Sequence, residues 1–297
     1  MPKISTRSKI DATESYGARV IFSGSTSVER EAVVAEWIPK TGAVFIPPYD
    51  HPDIILGQGT LGLEFQDQVA QMIASSSKSK TPGARTQPKC TFASASTAAG
   101  DDSGAAGPAH KKGLDAIITP CGGGGMLSGT ALSCHGTGTL VFGAEPSFQG
   151  ADDCKRGLAA GKRIERVSTL TIADGLRTPV GAIPWSIISN PEMVKAVYSV
   201  TEEQIKQALR LVLERMKMVV EPSAVVGLAV ALYNEGFRGL VEREAGEEGW
   251  DLGVVLSGGN TSLEALAEIF PVPKEKGERQ GGIVGVDGRS VTEGVAG

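Results

Sequence analysis

PCGGGGMLSG, at residues 120–129, gives the clearest indication of the fold of this chain. An apolar segment with the composition of a buried strand, residues 114–119, comes directly before it, and a helix-like apolar segment follows. Four consecutive glycines let the backbone approach a ligand with no Cβ in the way. A helix start behind them directs unpaired amides and the positive end of the helix dipole at an anion. The stretch therefore predicts a phosphate-binding loop. The alternative is a flexible linker, which is seldom framed by a buried strand and an apolar helix.

Strand-like and helix-like patterns alternate along the whole chain, which favours parallel strands joined by crossover helices. The predicted fold class is therefore α/β. Besides the strand before the glycines, strands are predicted at residues 18–23, 43–46, 140–145 and 253–256, and helices at 28–37, 60–73, from Thr201 onward, and at 224–232. The last strand ends in Ser-Gly-Gly-Asn at 257–260. Open α/β sheets bind their ligands at such carboxyl ends of strands.

Two helices are predicted from their start signals and apolar patterns. Thr201 and Gln204 have the spacing of a capping box, in which each side chain bonds to the other's backbone amide. One face of the helix that follows carries Ile205, Ala208, Leu209, Val212 and Met216. Residues 224–232 are apolar on every side, which predicts a buried helix. Pro222 suits its first position, and the carboxylate of Glu221 just before it needs a partner.

Composition limits the class of protein and its partners. The chain has 297 residues, of which 41% are hydrophobic, enough for a sizeable core, and its formal net charge is −5. The acidic balance without a basic stripe argues against nucleic acid, and no apolar run reaches membrane-spanning length, so a small molecule is the expected partner. The four cysteines fit neither a C-x-x-C metal site nor a compact disulfide framework. With no signal-peptide pattern at the N-terminus, a cytoplasmic location is expected.

Two segments differ in composition from the rest. Residues 74–113 are dominated by Ser, Ala, Gly, Lys and Thr with little apolar periodicity, which is typical of a disordered surface insertion. This insertion is not expected to belong to a site. The tail at 271–297 is rich in glycine and charge and is expected to be flexible.

Eight short motifs follow one another along the chain. They are Ser-Tyr-Gly-Ala-Arg-Val (15–20), Pro-Pro-Tyr-Asp-His-Pro (47–52), Gly-Gln-Gly-Thr (57–60), the tetraglycine (122–125), Ala-Glu-Pro (144–146), Thr-Ile-Ala-Asp-Gly-Leu (171–176), Glu-Pro-Ser-Ala (221–224) and Ser-Gly-Gly-Asn (257–260). Each is weak alone, but eight in this order and spacing are specific. Together they resemble the serine racemase and serine/threonine dehydratase family, over residues 4–268.

The resemblance implies the tryptophan-synthase-β-like fold of pyridoxal-phosphate enzymes, with two lobes and parallel-rich sheets. It implies a partial small lobe at 1–52 and a large cofactor-binding lobe at 53–270 that carries the insertion. We expect the chain to be N-terminally truncated relative to that family, because its first residues resemble the end of a small-lobe strand and the start of the next helix. The complete enzyme is expected to be a homodimer.

By the same resemblance, the phosphate of pyridoxal 5'-phosphate is held by Gly122, Gly123, Gly124 and Gly125. Met126 is the next backbone donor. Ser257 matches the residue that bonds the pyridine nitrogen, and a neutral hydroxyl there favours β-elimination and racemisation over transamination. Glu221 matches a carboxylate near the cofactor ring, with a structural role at a helix start as the alternative. Tyr49 and His51 lie where the lobes should meet, with ligand contact and loop packing both open.

A divalent cation is also implied. Glu145 and Asp153 fall where racemase-like members bind a cation through two carboxylates and a backbone carbonyl. Such hard oxygen ligands suit magnesium, calcium or manganese. Because the spacer at 147–151 is longer than in animal racemases, the carbonyl donor is either Gly150 or Ala151. The alternative is a surface acidic loop.

The resemblance also identifies what the sequence lacks. The family's catalytic lysine lies in a Ser-x-Lys-x-Arg-Gly type segment, and a Ser-Gly-Asn-His type loop holds the substrate carboxylate; neither occurs here. Lys155, Lys162 and Lys195 lie in polar segments without an activating environment, so no catalytic residue is assigned. The implied activity is that of a lyase or racemase acting on L-serine, L-threonine or a hydroxyaspartate. The alternative is a non-catalytic pseudoenzyme that binds phosphate ligands or pairs with a full-length homologue.

Overall fold

The computed structural model describes residues 1–78 and 113–271. The helices of a first compact unit, Met1–Thr261, are α1 (Arg7–Ser15), α2 (Ser27–Thr41), α3 (Pro52–Lys78), α4 (Gly125–Cys134), α5 (Asp153–Ala160), α6 (Ala182–Ile188), α7 (Glu202–Leu211), α8 (Val226–Tyr233) and α9 (Glu235–Ala245). Its strands are β1 (Ala116–Pro120), β2 (Leu140–Pro146), β3 (Ala196–Val200) and β4 (Leu252–Val254). Short 3₁₀ turns lie at Phe148–Gly150, Asp174–Leu176, Pro222–Val225 and Gly246–Glu248, and a π-helix at Val212–Met216.

A second unit begins at Ser262. Within it, Ser262 caps the helix α10 (Leu263–Ile269) by accepting a hydrogen bond from the amide of Ala265. The division into a partial small lobe, a large lobe and a tail, at 1–52, 53–270 and 271–297, stays a prediction. Residues 272–297 of the predicted tail lie outside the described residues.

The four strands form one parallel sheet in the order β3-β2-β1-β4. Ala116 of β1 lies opposite Leu140 on one side and Leu252 on the other. Every residue of β1 is buried, as is every residue of β2 after the first. Such burial is expected of parallel strands with both faces covered. The predicted α/β fold class is confirmed, and the strands expected at 140–145 and 253–256 form as β2 and β4.

Helices α3 and α4 pack closely through glycines. A methyl group at Gly59 would lie 2.8 Å from the carbonyl oxygen of Gly129, and one at Gly129 would collide with the carbonyl oxygen of Ile55. Because only a residue without a Cβ allows this approach, the Gly-Gln-Gly-Thr motif at 57–60 has a packing role. It holds α3 against the helix that follows the glycine loop.

The predictions of strands at residues 18–23 and 43–46 are wrong. Within the described residues, the first segment makes one isolated parallel bridge, between Pro2 and Ser23, and the second pairs with no strand. The side chains of 43–46 are exposed. A strand needs a hydrogen-bonded neighbour, and the part of the chain that the structure describes supplies none here. Apolar composition alone therefore did not make a sheet.

The predicted helices form, with different ends. Residues 28–37 lie within α2 and 60–73 within α3, which continues to Lys78. Residues 74–78 are therefore helical and do not start the predicted insertion, because extending an existing helix costs far less than starting one. Residues 79–112 of that insertion lie outside the described residues.

The helix after Thr201 forms as predicted at its start but not at its end. The Thr201 amide donates to the Gln204 side chain at 2.9 Å, and the Gln204 amide donates to the Thr201 hydroxyl at 3.3 Å. The predicted inner face is fully buried at Ile205, Ala208, Leu209 and Val212. Met216 is 52% exposed, because the chain turns into the π-helix Val212–Met216 and the wider turn changes the spacing.

In residues 1–78 and 113–271, no single helix is both long and apolar enough to cross a membrane. By length and composition alone, the bent pair Pro222–Tyr233 and Glu235–Ala245, with 59° between its halves, passes the same criteria together. The first half contains the predicted buried helix, whose residues Val226, Ala229 and Val230 are fully buried.

Candidate functional site

The glycine loop joins the end of β1 to the start of α4. The amide of Cys121 still continues the sheet, since it donates to the carbonyl oxygen of Ala144 at 2.8 Å. Helix α4 begins at Gly125, with Gly124 as its N-cap in the left-handed conformation, φ 88°. In the described part of the chain, no backbone bond outside the regular elements uses the amides of residues 122–124 as donors. The loop therefore presents free amides and a helix N-terminus to a ligand.

Neighbouring groups leave no room for a Cβ on this loop. A methyl group added in turn to Gly122, Gly123, Gly124 and Gly125 would meet the Gly175 carbonyl, the Tyr49 ring, the Pro184 side chain and the Gln58 amide. The shortest of these contacts is 2.3 Å, between a methyl group at Gly123 and Cγ of Tyr49, and Gly124 combines a 2.8 Å contact to the Pro184 Cβ with a positive φ. The close packing explains why this loop consists of glycines.

The loop lines a pocket of about 330 Å³. Its glycines and Met126 form one wall. The polar side chains around the rest come from distant parts of the sequence: Arg30, Tyr49, Gln58, Thr178, Glu221, Ser223 and Ser257. The structure thus brings together in one pocket all the residues that the sequence assigned to the cofactor, namely Gly122, Gly123, Gly124, Gly125, Met126, Glu221 and Ser257.

A larger cavity, of about 490 Å³, lies along α3. It is lined mainly by apolar groups, among them Leu61, Phe65 and Val255, and its one charged lining residue is Glu64. This cavity has no cation and no helix N-terminus to bind an anion. The smaller pocket is therefore the better candidate for an anionic ligand.

Glu221 enters the pocket at the start of the Pro222–Val225 turn. Its amide donates to the carbonyl oxygen of Gly258 at 3.1 Å, and its carboxylate lies 3.6 Å from the Lys9 ammonium. Lys9 also pairs with Asp174 at 2.7 Å. Burial raises the pKa of Glu221, and the Lys9 charge opposes that rise. The partly buried carboxylate has the partner that its position requires.

Ser257 lies at the carboxyl edge of the sheet, three residues after β4. The chain is kept in line with β1 up to Val255, whose amide donates to Ile118 at 3.1 Å. A methyl group at the next residue, Gly258, would lie 3.0 Å from Oε1 of Glu221. Since β1 and β4 are neighbours, the glycine loop and Ser257 line the same pocket, at the edge where open sheets bind ligands.

The motif Thr-Ile-Ala-Asp-Gly-Leu at 171–176 is fixed to the same side of the pocket. Ser223 accepts a hydrogen bond from the amide of Gly175 at 3.0 Å. The carboxylate of Glu202 accepts from the Thr171 hydroxyl at 2.6 Å and from the amide that follows at 2.8 Å. These bonds hold Asp174 and Gly175 beside Glu221.

Tyr49 and His51 have different roles. Tyr49 lines the pocket with its ring against Gly123, and burial raises the pKa of its phenol. The neighbouring Asp50 caps α6 by accepting from two backbone amides at 2.9 Å each. His51 Nδ1 accepts from the amide of Asp53 at 3.2 Å, at the start of α3. Ligand contact fits the position of Tyr49, and loop packing fits that of His51.

The three residues predicted to bind a cation lie at the end of β2 and the start of α5. Glu145, Ala151 and Asp153 are all buried, so they are not a surface acidic loop. Glu145 accepts from two amides of the first turn of α5 at 3.0 Å each, and Asp153 accepts from the amide of Val180 at 3.1 Å. Burial raises the pKa of Asp153 to about 6 and that of Glu145 well above its usual value.

Two cationic side chains near the pocket were missed by the sequence analysis. Arg30 on α2 lines the pocket, and Lys9 on α1 pairs with Asp174 and Glu221. Both belong to helices whose own patterns are those of surface helices. The available signal was the unpaired Glu221, which predicted a partner without saying where in the chain it lies.

The arrangement suits an anionic ligand with an attached ring or amino acid. Backbone amides and a helix N-terminus favour a phosphate at the glycine loop. The hydroxyl of Ser257, the carboxylate of Glu221 and the guanidinium of Arg30 add neutral, anionic and cationic groups to the pocket lining. The pocket therefore combines an anion-binding loop with one cationic side chain.

Comparison with known proteins identifies relatives across most of the chain. The family described as "Pyridoxal-phosphate dependent enzyme" matches residues 1–78 and 105–258. The chain is 32% identical to a serine racemase of Arabidopsis thaliana over 276 residues, which cover 92% of this chain and 68% of that protein. It is 30% identical to an L-threo-3-hydroxyaspartate ammonia-lyase of Saccharomyces cerevisiae, with 91% of this chain and 67% of that protein covered.

The fold agrees with the sequence match. The structure of maize serine racemase superposes with a TM-score of 0.69 at 31% identity, covering 90% of this chain and 67% of that one. The chain thus spans about two thirds of the length of these proteins. Its fold is that of the tryptophan-synthase-β-like enzymes, as the motifs implied. The chain belongs to the family of pyridoxal-phosphate dependent enzymes.

Proposed function

We propose that this chain acts in a pyridoxal-phosphate-dependent serine/threonine dehydratase (ammonia-lyase) or serine racemase that converts small β-hydroxy amino acids. The observation that carries the proposal is the glycine loop in one pocket with Glu221 and Ser257. The serine racemase and hydroxyaspartate ammonia-lyase among the relatives support this substrate class.

The residues of the pocket fit pyridoxal 5'-phosphate. Its phosphate would accept hydrogen bonds from the amides of Gly122, Gly123, Gly124, Gly125 and Met126. A Cβ on this loop would meet Tyr49 or Pro184, so the backbone itself is the binding surface. The N-terminus of α4 adds a favourable dipole for the negative charge. When bound, the cofactor supplies an electron sink for the α-carbon of an amino acid.

Ser257 and Glu221 would hold the ring of the cofactor. A serine hydroxyl at the pyridine nitrogen is neutral, so it stabilises a protonated nitrogen less than a carboxylate does. This environment favours elimination and racemisation over transamination. Glu221 would keep its carboxylate in place through the ion pair with Lys9, at 3.6 Å.

Arg30 would position a carboxylate of the substrate. It is the cationic side chain among the residues that line the pocket. A guanidinium matches the planar geometry of a carboxylate and can donate two parallel hydrogen bonds to it. Serine and threonine carry one carboxylate and a hydroxyaspartate two, so variants at Arg30 should change the preference among these substrates.

A specific observation favours the alternative, a non-catalytic subunit that binds the cofactor or another phosphate ligand. The family's lysine motif is absent from residues 1–297. Lys9, a lysine close to the pocket, is held between Asp174 and Glu221. A lysine nucleophile must be free to reach the cofactor, and these two ion pairs hold the Lys9 side chain away from that role.

A magnesium or manganese ion at Glu145, Ala151 and Asp153 is part of the proposal. Of the two candidate carbonyl donors, Gly150 already accepts from Arg156 at 2.7 Å, which favours Ala151. The two buried carboxylates need compensating charge, and oxygen ligands suit these ions. A homodimer in the cytoplasm is proposed on the family resemblance alone.

The test combines cofactor binding with product analysis. The purified chain is titrated with pyridoxal phosphate, followed by its visible spectrum, then reduced with borohydride and mapped by peptide mass. In parallel, L-serine, L-threonine and threo-3-hydroxyaspartate are assayed for 2-oxo acids, and L-serine for D-serine. We expect saturable binding that Gly124→Ala weakens by more than about tenfold, or 1.4 kcal/mol. Gly138→Ala, at a glycine outside the pocket lining, is the matched control.

The results of this test distinguish the dehydratase or racemase from the non-catalytic alternative. A labelled lysine together with product formation supports the dehydratase or racemase. Saturable binding with no labelled lysine and no product supports the non-catalytic alternative. Absence of saturable binding, or equal loss in both glycine variants, overturns the assignment of the glycine loop.

A further inference from the structure

Two cysteines and a glutamate meet beneath the glycine loop. The Sγ atoms of Cys121 and Cys154 and a carboxylate oxygen of Glu145 all lie within 4.8 Å of one another. Their exposed fractions are 1%, 1% and 0%. The cluster does not line the pocket. The function proposed above uses neither cysteine, but it shares Glu145 with this cluster as a ligand of a magnesium or manganese ion.

The fold itself brings these side chains together. In the parallel register, Pro120 of β1 lies opposite Ala144 of β2, so the next residues, Cys121 and Glu145, are neighbours. The first turn of α5 then approaches the end of β2, where the amides of Cys154 and Lys155 donate to the two oxygens of Glu145 at 3.0 Å each. This capping of α5 by Glu145 places the Cys154 thiol next to Cys121.

The cluster contains a buried carboxylate without a cationic partner. Among the described residues, no lysine or arginine forms an ion pair with Glu145, and the ammonium of Lys155 bonds to Ser199 instead, at 2.9 Å. Two backbone amides are the polar contacts of a side chain that has no solvent access. Buried carboxylates in proteins are usually paired with a cation or coordinate a metal.

The donor atoms indicate which cation fits. Thiolate sulfur together with carboxylate oxygen suits zinc, whereas magnesium, calcium and manganese prefer oxygen ligands alone. The oxygen set at Glu145, Ala151 and Asp153 shares one residue with this cluster but contains no sulfur. The two sets therefore select different metals.

We propose that Cys121, Glu145 and Cys154 form a zinc site that joins the glycine loop to α5. The three side chains supply two sulfur ligands and one oxygen ligand to a metal that prefers four ligands in a tetrahedral arrangement. The site goes beyond the proposed function and does not depend on catalysis.

The position of the site gives zinc a structural effect. Cys121 directly precedes Gly122, so a bound metal fixes the first residue of the loop to the start of α5. Zinc is thus expected to raise the midpoint of thermal unfolding of the full chain, and to do so with or without pyridoxal phosphate.

The experiment uses the full chain, reduced, stripped with a chelator and dialysed against zinc. Metal content is measured, and zinc-edge X-ray absorption gives the ligands, since Zn–S is about 2.3 Å and Zn–O or Zn–N about 2.0–2.2 Å. We expect one zinc per chain with two sulfur ligands, which excess magnesium does not displace. In Cys121→Val and in Cys154→Ala, zinc affinity should fall by at least about a hundredfold. Loss of a residue that only supports a metal ligand already lowers metal affinity by up to about a hundredfold, and loss of a ligand itself should cost more. Cys134→Ala, which removes a buried thiol outside the cluster, should leave zinc affinity unchanged.

If a variant fails to fold, the zinc-edge X-ray absorption spectrum of the wild-type chain still tests the proposal. An all-oxygen or nitrogen shell around zinc overturns it, as does displacement of zinc by magnesium. Sulfur ligands that persist in a folded Cys121→Val, Cys154→Ala double variant overturn it as well. The proposal is also overturned if the intact mass of the reduced and stripped chain shows that Cys121 and Cys154 have formed a disulfide. None of these outcomes affects cofactor binding at the pocket, so the zinc site and the cofactor site fail separately. Because the two ligand sets share Glu145, displacement of zinc by magnesium would instead favour the oxygen set at Glu145, Ala151 and Asp153.

Discussion

The pocket is built from two regions that are stabilised in different ways. Residues 116–146 contribute the glycine loop between strands that are almost completely buried. Residues 1–50 contribute Arg30 and Tyr49, yet Ser23 is the one side chain described as buried in this stretch. The phosphate side is therefore fixed by the apolar core, and the other side by polar contacts at its edge.

These polar contacts are few and specific. Lys9 pairs with Asp174 and Glu221, and Asp50 caps α6 next to the ring of Tyr49. Regions with little apolar burial open at lower free energy than the core does. Substitutions in the core region should therefore lower the global free energy of unfolding, whereas those in residues 1–50 should mainly change the geometry of the pocket.

The largest effect is expected at Gly124. In Gly124→Ala the methyl group would lie 2.8 Å from the Pro184 Cβ and 3.0 Å from Ile188, at a residue with φ 88°. Backbone strain and overpacking together should lower the free energy of unfolding by about 2–4 kcal/mol. Urea denaturation of the chain without ligand measures this change.

The matched control is Gly138→Ala. Gly138 has nearly the same φ, 85°, but no atom lies within 4 Å of the added methyl group. It should lose about 1 kcal/mol, from strain alone. Equal losses in the two variants would mean that the glycine loop is not held by core packing, and the contrast between the two regions would fail.

The sheet and the glycine loop were predictable because their signals are local. A buried strand, four glycines and an apolar helix follow one another within residues 114–134, and the strands at 140–145 and 253–256 are short apolar runs. The order and spacing of the eight motifs along the chain indicated the family. Burial of Ile205, Ala208 and Leu209 was likewise predictable from a single helical period.

What could not be predicted depends on contacts between distant residues. Lys9 and Asp174 are 165 residues apart, and Asp50 and its first partner amide in α6 are 132 apart. The segments at 18–23 and 43–46 have strand composition, but strand pairing is decided by a neighbour. Met216 is exposed because a π-helix interrupts the helical period, and no residue type in the sequence predicts a π-helix.

Removal of the Lys9 charge should give the next largest effect. Lys9→Gln leaves the carboxylates of Asp174 and Glu221 near each other with no cation between them, in partly buried positions. A cost of roughly 1–3 kcal/mol is expected, between the values for surface and buried pairs. Lys40→Gln, which removes an exposed pair with Glu36, should cost less than about 0.5 kcal/mol.

The effect of Lys9→Gln should depend on pH with a defined sign. Lys9 lowers the pKa of Glu221 against the rise caused by burial, so the variant has the higher folded-state pKa. The cost is present at pH values above that pKa, where Glu221 is charged, and it diminishes as the pH falls and Glu221 takes up a proton. Unfolding free energies at pH 8 and pH 5 test this, and a cost that grows toward pH 5 contradicts the role given to Lys9.

The smallest effects compare two capping boxes of the same design. Thr26 with Glu29 starts α2, and Thr201 with Gln204 starts α7. Helix α7 buries its inner face, so Thr201→Ala should lower the global free energy of unfolding by about 1 kcal/mol. Helix α2 has no fully buried residue among its described side chains, so Thr26→Ala should change that value by less than about 0.5 kcal/mol.

Hydrogen exchange measured by mass spectrometry distinguishes the two cases. In Thr26→Ala, faster exchange should be confined to the amides of α2, because that helix opens without the core. In Thr201→Ala, protection should fall across the sheet as well, since α7 packs into the buried core and opens only with it. If both variants instead lower protection throughout the chain, then α2 unfolds together with the sheet, and Arg30 on that helix is held as firmly as the glycine loop.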